Sequence, residues 1–311
     1  MVSRPLDVIG RAMCWICGGL LLLAFGSLLG FLAVRGAGQV DWSFLSTSPT
    51  LSGGNQGLIS GGILDPIFGT IILTLMGTAI AFPFGVGAGV FLAEYRRPVW
   101  FARVTELAIE MIFSVPSIVI GICGLAIFTN AAFAMLSQTA TAGGEKAFGR
   151  SFLVAAIALS LLAIPPIARS TQEALGQIPT WLREASYGLG KTKAATIRRL
   201  LLPAARPGVA TGTILGMGRI AGDTAIVFLL LGATQTFGVG QFWWHPNNAI
   251  NTLQGTGTTL TTYVYCASPA GECNAESRAY GAAFVLMFVI LGLNALVMLI
   301  SRRGVKWNKE T

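Results

Sequence analysis

Charge is what this sequence has least of. Of 311 residues only 11% are charged, while 53% are hydrophobic, and the mean hydropathy is +0.69. A soluble domain carries about 25% charged residues, so water cannot be the only solvent for this chain. Histidine is nearly missing too. His245 is the single one, and a metal centre built on imidazole needs company, so His245 is given no chemical role. Five cysteines do not make a disulfide framework. Cys14 and Cys17 form a C-x-x-C inside apolar sequence, where small residues facing lipid or helix are the expectation rather than a redox or zinc site. Cys123 falls in another apolar run. Cys266 and Cys273 share one loop and can pair if that side of the membrane is oxidising.

The long apolar runs supply the complement. Ala12–Val34, Pro66–Ala93, Met111–Phe128, Ser151–Ala168 and Tyr280–Ser301 contain no Asp, Glu, Lys or Arg, and Pro207–Phe237 contains only Arg219 and Asp223. A spanning helix needs roughly 20 apolar residues. The expectation is an all-α integral membrane protein of about six transmembrane helices, in the cell membrane, with the lipid bilayer as its solvent. The helices after the first are expected near 66–93, 107–129, 151–169, 207–235 and 280–301. With six crossings and a cytoplasmic N-terminus, sixteen Lys and Arg residues fall on the inner side and four on the outer, Arg35, Lys146, Arg150 and Arg278. That excess sets both termini in the cytoplasm. The net charge of +8 is thereby a topology signal, and no nucleic-acid partner is needed to explain it. The first run, at 23 residues, is longer than a signal peptide's apolar core of about 7–15, and reads as an uncleaved helix, with cleavage at the small residues Gly36-Ala37-Gly38 as the alternative.

Glycines pair at i,i+4 in Gly26/Gly30, Gly85/Gly89, Gly212/Gly216 and Gly218/Gly222, a spacing that lets helices approach closely. Pro83 and Pro116 lie inside predicted helices and should kink them. The outer loop from about Gly238 to Ala279 holds Trp243 and Trp244, which suit an interface with headgroups or a partner.

The most informative loop is Arg169–Arg206. Thr180 is expected to cap one short helix after Pro179, which Gly188 and Gly190 then break. Thr192 should cap a second, amphipathic helix that Pro203 stops. Two short helices in a polar loop suit protein docking; a membrane-surface helix is the plainer alternative. Ala185–Thr192 also fits a loose phosphate-loop pattern, but no buried strand precedes it and the chain has no room for a nucleotide domain. Glu184-Ala185-Ser186, Gly190 and Leu202-Pro203 stand at the spacing of the EAA motif, with Ser186 for the second Ala and Leu200 for the Ile. On these residues the loop resembles that of ABC importer permeases. The resemblance implies a type I importer architecture of the MetI-like kind, and a coupling loop over 170–206 that docks on a separate ATPase through Glu184, Ala185, Ser186, Gly190, Lys191, Leu202 and Pro203. ATP and Mg would then belong to that partner, and this chain would hold no cofactor and be no enzyme itself.

Arg219 and Asp223 lie well inside an apolar run. A charge near the bilayer centre costs on the order of 2.5–3.5 kcal/mol, so both are functional candidates. Their i,i+4 spacing puts them on one face. A structural ion pair is one reading; an anion site is the other, since a guanidinium fork suits a tetrahedral oxyanion and a carboxylate can accept the proton of monohydrogen phosphate, which sulfate lacks. Thr224 and Ser117 are candidate hydroxyl donors. Glu110 is expected to open the third helix, either as a dipole-favoured carboxylate or as a path residue. Gly218-Arg219-Ile-Ala-Gly222-Asp223-Thr224-Ala225 and Val115-Pro116-Ser117-Ile118-Val119-Ile120-Gly121 resemble stretches of phosphate permeases of the PstA and PstC type, with Asp223 where Glu is usual. That resemblance favours the PstA type. It implies phosphate import together with a sister permease, two ATPase subunits and an outer phosphate-binding protein. The domains expected are an N-terminal helix and outer loop over 1–65, a permease core over 66–303 and a tail over 304–311. Other oxyanions (sulfate, molybdate, phosphonate), a secondary transporter and an added sensing role are the competing readings.

Overall fold

A computed structural model of the chain describes residues 4–51, 59–130, 133, 136–137, 149–232, 253–269, 271, 273 and 275–302. Trp243, Trp244, His245 and the tail 304–311 lie outside them.

Three helices form the centre: α3 (Leu64–Val90), α6 (Phe152–Gly176) and α9 (Leu202–Gly222). The middle one is α6. Its alanines and leucines pack on both neighbours, and Phe152, Leu159, Leu162 and Ile167 are fully buried. Ser151 caps it, its hydroxyl accepting from Val154 N at 3.1 Å. Pro165 and Pro166 lie inside α6 without ending it. Small residues set the spacing. A Cβ at Gly85 would come within 2.7 Å of Ile167, one at Gly89 within 2.7 Å of Ala168 O, and one at Gly212 within 2.7 Å of Ser170 Cβ. Two of the four predicted glycine pairs therefore make close helix contacts. Gly26, Gly30, Gly218 and Gly222 face open space in this chain.

Helix α1 (Arg4–Ala37) stands apart and meets the body at its C-terminal end, where Phe31 packs edge-on against Tyr280 of α12 (Glu276–Arg302) at 5.8 Å. Between α1 and α3 come α2 (Trp42–Ser46) and a two-stranded antiparallel ribbon, β1 (Pro49–Leu51) with β2 (Ile59–Gly61). This ribbon is a small addition to an otherwise helical fold. Phe44 of α2 and Ile63, just after β2, join α11 (Leu260–Ala267) and the start of α12 in a second cluster with Leu260 and Tyr263. Arg278 donates to Gly61 O at 2.7 Å. Cys266 and Cys273 are bonded, with Cα atoms 5.4 Å apart.

Two predicted helices are broken. The one expected over 107–129 is α4 (Val99–Ser114) followed by α5 (Ser117–Phe128), bent by 103°. Pro116 ends the helix outright, because proline cannot donate and forces the residue before it out of helical geometry; Val115 is extended at φ −70°, ψ 129°. The one expected over 207–235 is α9, which stops at Gly222, and then α10 (Ala225–Leu230). Asp223 at φ −76°, ψ 123° makes the break. Among the described residues four helices are long and apolar enough to cross a membrane, within Asp7–Ala37, Leu64–Tyr95, Phe152–Gly176 and Glu276–Ser301, and the bent pair makes a fifth. Helix α9, the fifth of the six expected helices, has the length; its arginines and glycines lower its hydropathy.

Candidate functional site

The two breaks adjoin. Helices α5 and α10, the halves beyond them, pack together: a Cβ on Gly121 would lie 2.8 Å from Leu229 Cδ1 and 3.4 Å from Ile226 Cα. The halves before them meet through Arg219 and Phe113. The Arg219 guanidinium lies over the Phe113 ring, 4.8 Å from its centroid, and Nη2 donates weakly to Phe113 O at 3.5 Å. Next in sequence, Ile220 packs on Gly77, midway along α3, so the arginine stands at mid-height of the bundle, half-buried. Phe113 is in the last turn of α4, where unpaired carbonyls give the negative end of the helix dipole. That end, with the ring face, is what tempers the charge of Arg219.

No carboxylate lies within 4.0 Å of Arg219 among the described residues; the ion pairs there join Arg96–Glu106, Arg169–Glu110 and Arg183–Glu94. The i,i+4 pairing of Arg219 with Asp223 does not form, because the helix ends at Gly222 and Asp223 turns away. Instead Asp223 Oδ1 accepts from Ile226 N at 2.8 Å and caps α10. Thr224 follows it at the head of α10. Ser117 opens α5, four residues after Phe113 across the bend. All three are half-buried. Glu110 does not open a helix, since α4 begins eleven residues earlier, after Pro98. It lies one turn before Phe113 and pairs with Arg169 of α6 at 2.5 Å, both side chains about half exposed at 52% and 48%.

The second site is the loop between α6 and α9. Helix α7 (Thr180–Gly188) carries Glu184 and Ala185 exposed and Ser186 buried. Thr180 is its first residue; the cap position is taken by Pro179, whose preset φ suits a helix entry. Gly190 has φ +76°, which an L side chain adopts at a cost, and its N–H donates to Tyr187 O at 2.9 Å. Lys191 is exposed beside it. Thr192 caps α8 (Lys193–Thr196) through Ala195 N at 3.4 Å. Ser186 Oγ and Thr196 Oγ1 share a hydrogen bond of 2.9 Å that ties α7 to α8. Pro203 does not stop the second helix. From α8 the chain passes through a π turn, Ile197–Leu201, straight into α9. Leu202 and Pro203 form the first turn of the new α-helical register, where a missing N–H is tolerated. The amphipathic helix is thus the base of a membrane helix.

Glu94 was invisible to the sequence reading. It lies in a π turn, Phe91–Tyr95, at the C-terminal end of α3. Its Oε1 accepts from Arg183 Nε at 3.0 Å and Nη2 at 2.9 Å. Arg183 also donates to Leu175 O at 2.6 Å and Ile178 O at 2.5 Å. The side chains are 17% and 7% exposed for Arg183 and Glu94. The one signal was a lone carboxylate ending the apolar run 66–93 in a chain with only 13 acidic residues.

A family described as "Binding-protein-dependent transport system inner membrane component" matches residues 85–306. The chain belongs to that family. It is 29% identical over 298 residues to the probable ABC transporter permease protein YqgI of Bacillus subtilis, covering 94% of each chain. It is 33% identical over 241 residues to the phosphate transport system permease protein PstA of Yersinia pestis, covering 77% of this chain and 72% of that one. Among solved structures it resembles a bacterial ABC transporter involved in the import of the acidic polysaccharide alginate, with a TM-score of 0.60, 14% identity, and 98% and 100% of the two chains covered. The last likeness speaks to fold alone. The chain is a multi-pass membrane subunit of an ABC importer, a transport component and not an enzyme, and the family implies an ATPase and a binding protein as partners.

Proposed function

We propose that this chain is the PstA-type membrane subunit of a phosphate importer, with both termini in the cytoplasm. The observation that carries the reading is Arg219: a half-buried guanidinium at mid-height of the bundle, held by an aromatic face and a helix end, with no carboxylate on it among the described residues. Its fork, engaged only by one long bond to Phe113 O, has donors left for a tetrahedral oxyanion. Broken helices that meet around such a group are how transporters present half-helix ends to anionic substrates. Ser117 and Thr224 stand at the heads of the two downstream halves as hydroxyl donors. Only Oδ1 of Asp223 is engaged among the described residues, which leaves the other oxygen to accept the proton of monohydrogen phosphate.

At the inner end, exposed Glu184, Ala185 and Lys191 form the surface for a separate ATPase, which binds ATP and Mg; this chain needs no cofactor of its own. A sister permease, two ATPase copies and an outer phosphate-binding protein complete the assembly. ATP closes the ATPases, the docked loops move, and the helices open outward by alternating access.

The test is uptake of labelled phosphate at limiting concentration in cells with this chain, without it, and with Arg219→Ala, with excess unlabelled sulfate present or absent. Loss of uptake in the last two, unaffected by sulfate in the first, is expected. Uptake that Arg219→Ala leaves normal would remove the anion role, and competition by sulfate would move the substrate to another oxyanion.

A further inference from the structure

The inner loop must do more than bind its partner: its motion has to reach the membrane helices. By covalent connection α7 is remote from them. It is joined to α6 through Gln177–Pro179 and to α9 only through the Gly190 turn, α8 and a π turn. Neither Gln177–Pro179 nor the Gly190 turn is helical, so a push across them is taken up by bending. One side chain bypasses them. Arg183, on α7 next to the docking residue Glu184, reaches Glu94 at the end of α3 and the carbonyls of Leu175 and Ile178 at the end of α6. Lys193, at the start of α8, adds to the same point: Nζ donates to Glu94 O and lies 4.7 Å from the centroid of Tyr95. Beneath the polar knot lies an apolar one, where Leu175, Ile197 and Leu201 pack with Val90 and Ala93.

We infer that the Arg183–Glu94 pair is the mechanical link through which docking at α7 moves α3 and α6. An ion pair this sheltered from water is held by several charge-assisted hydrogen bonds at once, so it moves as a unit. Arg183 and Glu94 are positioning residues, which touch neither substrate nor nucleotide. The inference rests on the importer reading, because it needs an ATPase docked on α7.

The test separates a link from a mere prop. Removing one partner of a sheltered ion pair strands a charge, whereas replacing both with apolar residues of similar size often preserves stability. The double variant Glu94→Leu with Arg183→Met is therefore compared with wild type as the full transporter in vesicles, with labelled phosphate and ATP hydrolysis measured together. The expected result is a normally assembled complex whose anion imported per ATP falls by about tenfold or more, the scale of a typical coupling between sites. Glu94→Gln, which keeps the shape and drops the charge, should lower the same ratio by less. A double variant that assembles and keeps the wild-type ratio would overturn the link. So would failure of both variants to assemble, since the pair would then be a folding element. The wild-type control tests the substrate separately: if it imports sulfate and not phosphate, the substrate reading falls and the ratio is read with labelled sulfate.

Discussion

Two arginines of this chain, one sheltered from water and one half-buried, are treated in opposite ways. Arg183 has a carboxylate and two carbonyls within 3.0 Å. Arg219 has one carbonyl at 3.5 Å and a phenyl ring. A guanidinium with four of its five donors engaged has little left to offer a ligand and is best used to hold elements in register. One left short of acceptors is kept charged by softer means and waits for an anion. The contrast teaches where to look for work in a membrane protein: among half-satisfied cations, not among the best-bonded ones.

The comparison is broken most sharply by exchanging what each arginine can lose. Arg219→Ala should cut uptake by about 100-fold, the loss of roughly 3 kcal/mol of charge-assisted bonding, while the amount of assembled transporter stays unchanged. Arg219→Lys, which keeps the charge and loses the fork, should fall between the two. Glu94→Ala has the opposite signature: it strands Arg183 and should cost about 3–5 kcal/mol of stability, seen as less assembled complex and a lower unfolding temperature. Asp223→Ala should cost about 1 kcal/mol through the lost cap of α10, while Asp223→Asn keeps the cap; uptake by the Asn variant therefore reports whether the carboxylate also takes a proton. The smallest effect is expected at Glu110→Ala. Its half-exposed pair with Arg169 should contribute less than about 1 kcal/mol, and a large drop in uptake without a drop in stability would place Arg169 with Arg219 among the working cations.

The features legible in the sequence obey local rules. Apolar runs marked the helices, and the spacing from Glu184 to Pro203 marked the inner loop. The Gly190 turn and the Thr192 cap were readable because each depends on one residue and its near neighbours. Pro116 announced a kink, but not a bend of 103°, which depends on α10 packing against α5. The break at Asp223 was hidden, because Gly222 and Thr224 read as ordinary residues of an apolar helix until the carboxylate is seen to cap α10. Pro203 misled for the converse reason: a proline that ends an isolated helix sits comfortably just after a π turn. The pair Arg183–Glu94 spans 89 residues, and no local pattern signals a contact of that separation.

Against the broken helices, the unbroken α6 stands out. Its 25 residues make a rod of about 37 Å, gripped at one end by Arg183 and pressed along its length by the glycine faces of α3 and α9. A rod of that length is a lever. A tilt of about 10° imposed at the Arg183 end carries the far tip sideways by roughly 6 Å, so a modest rocking at one end becomes a wide swing at the other.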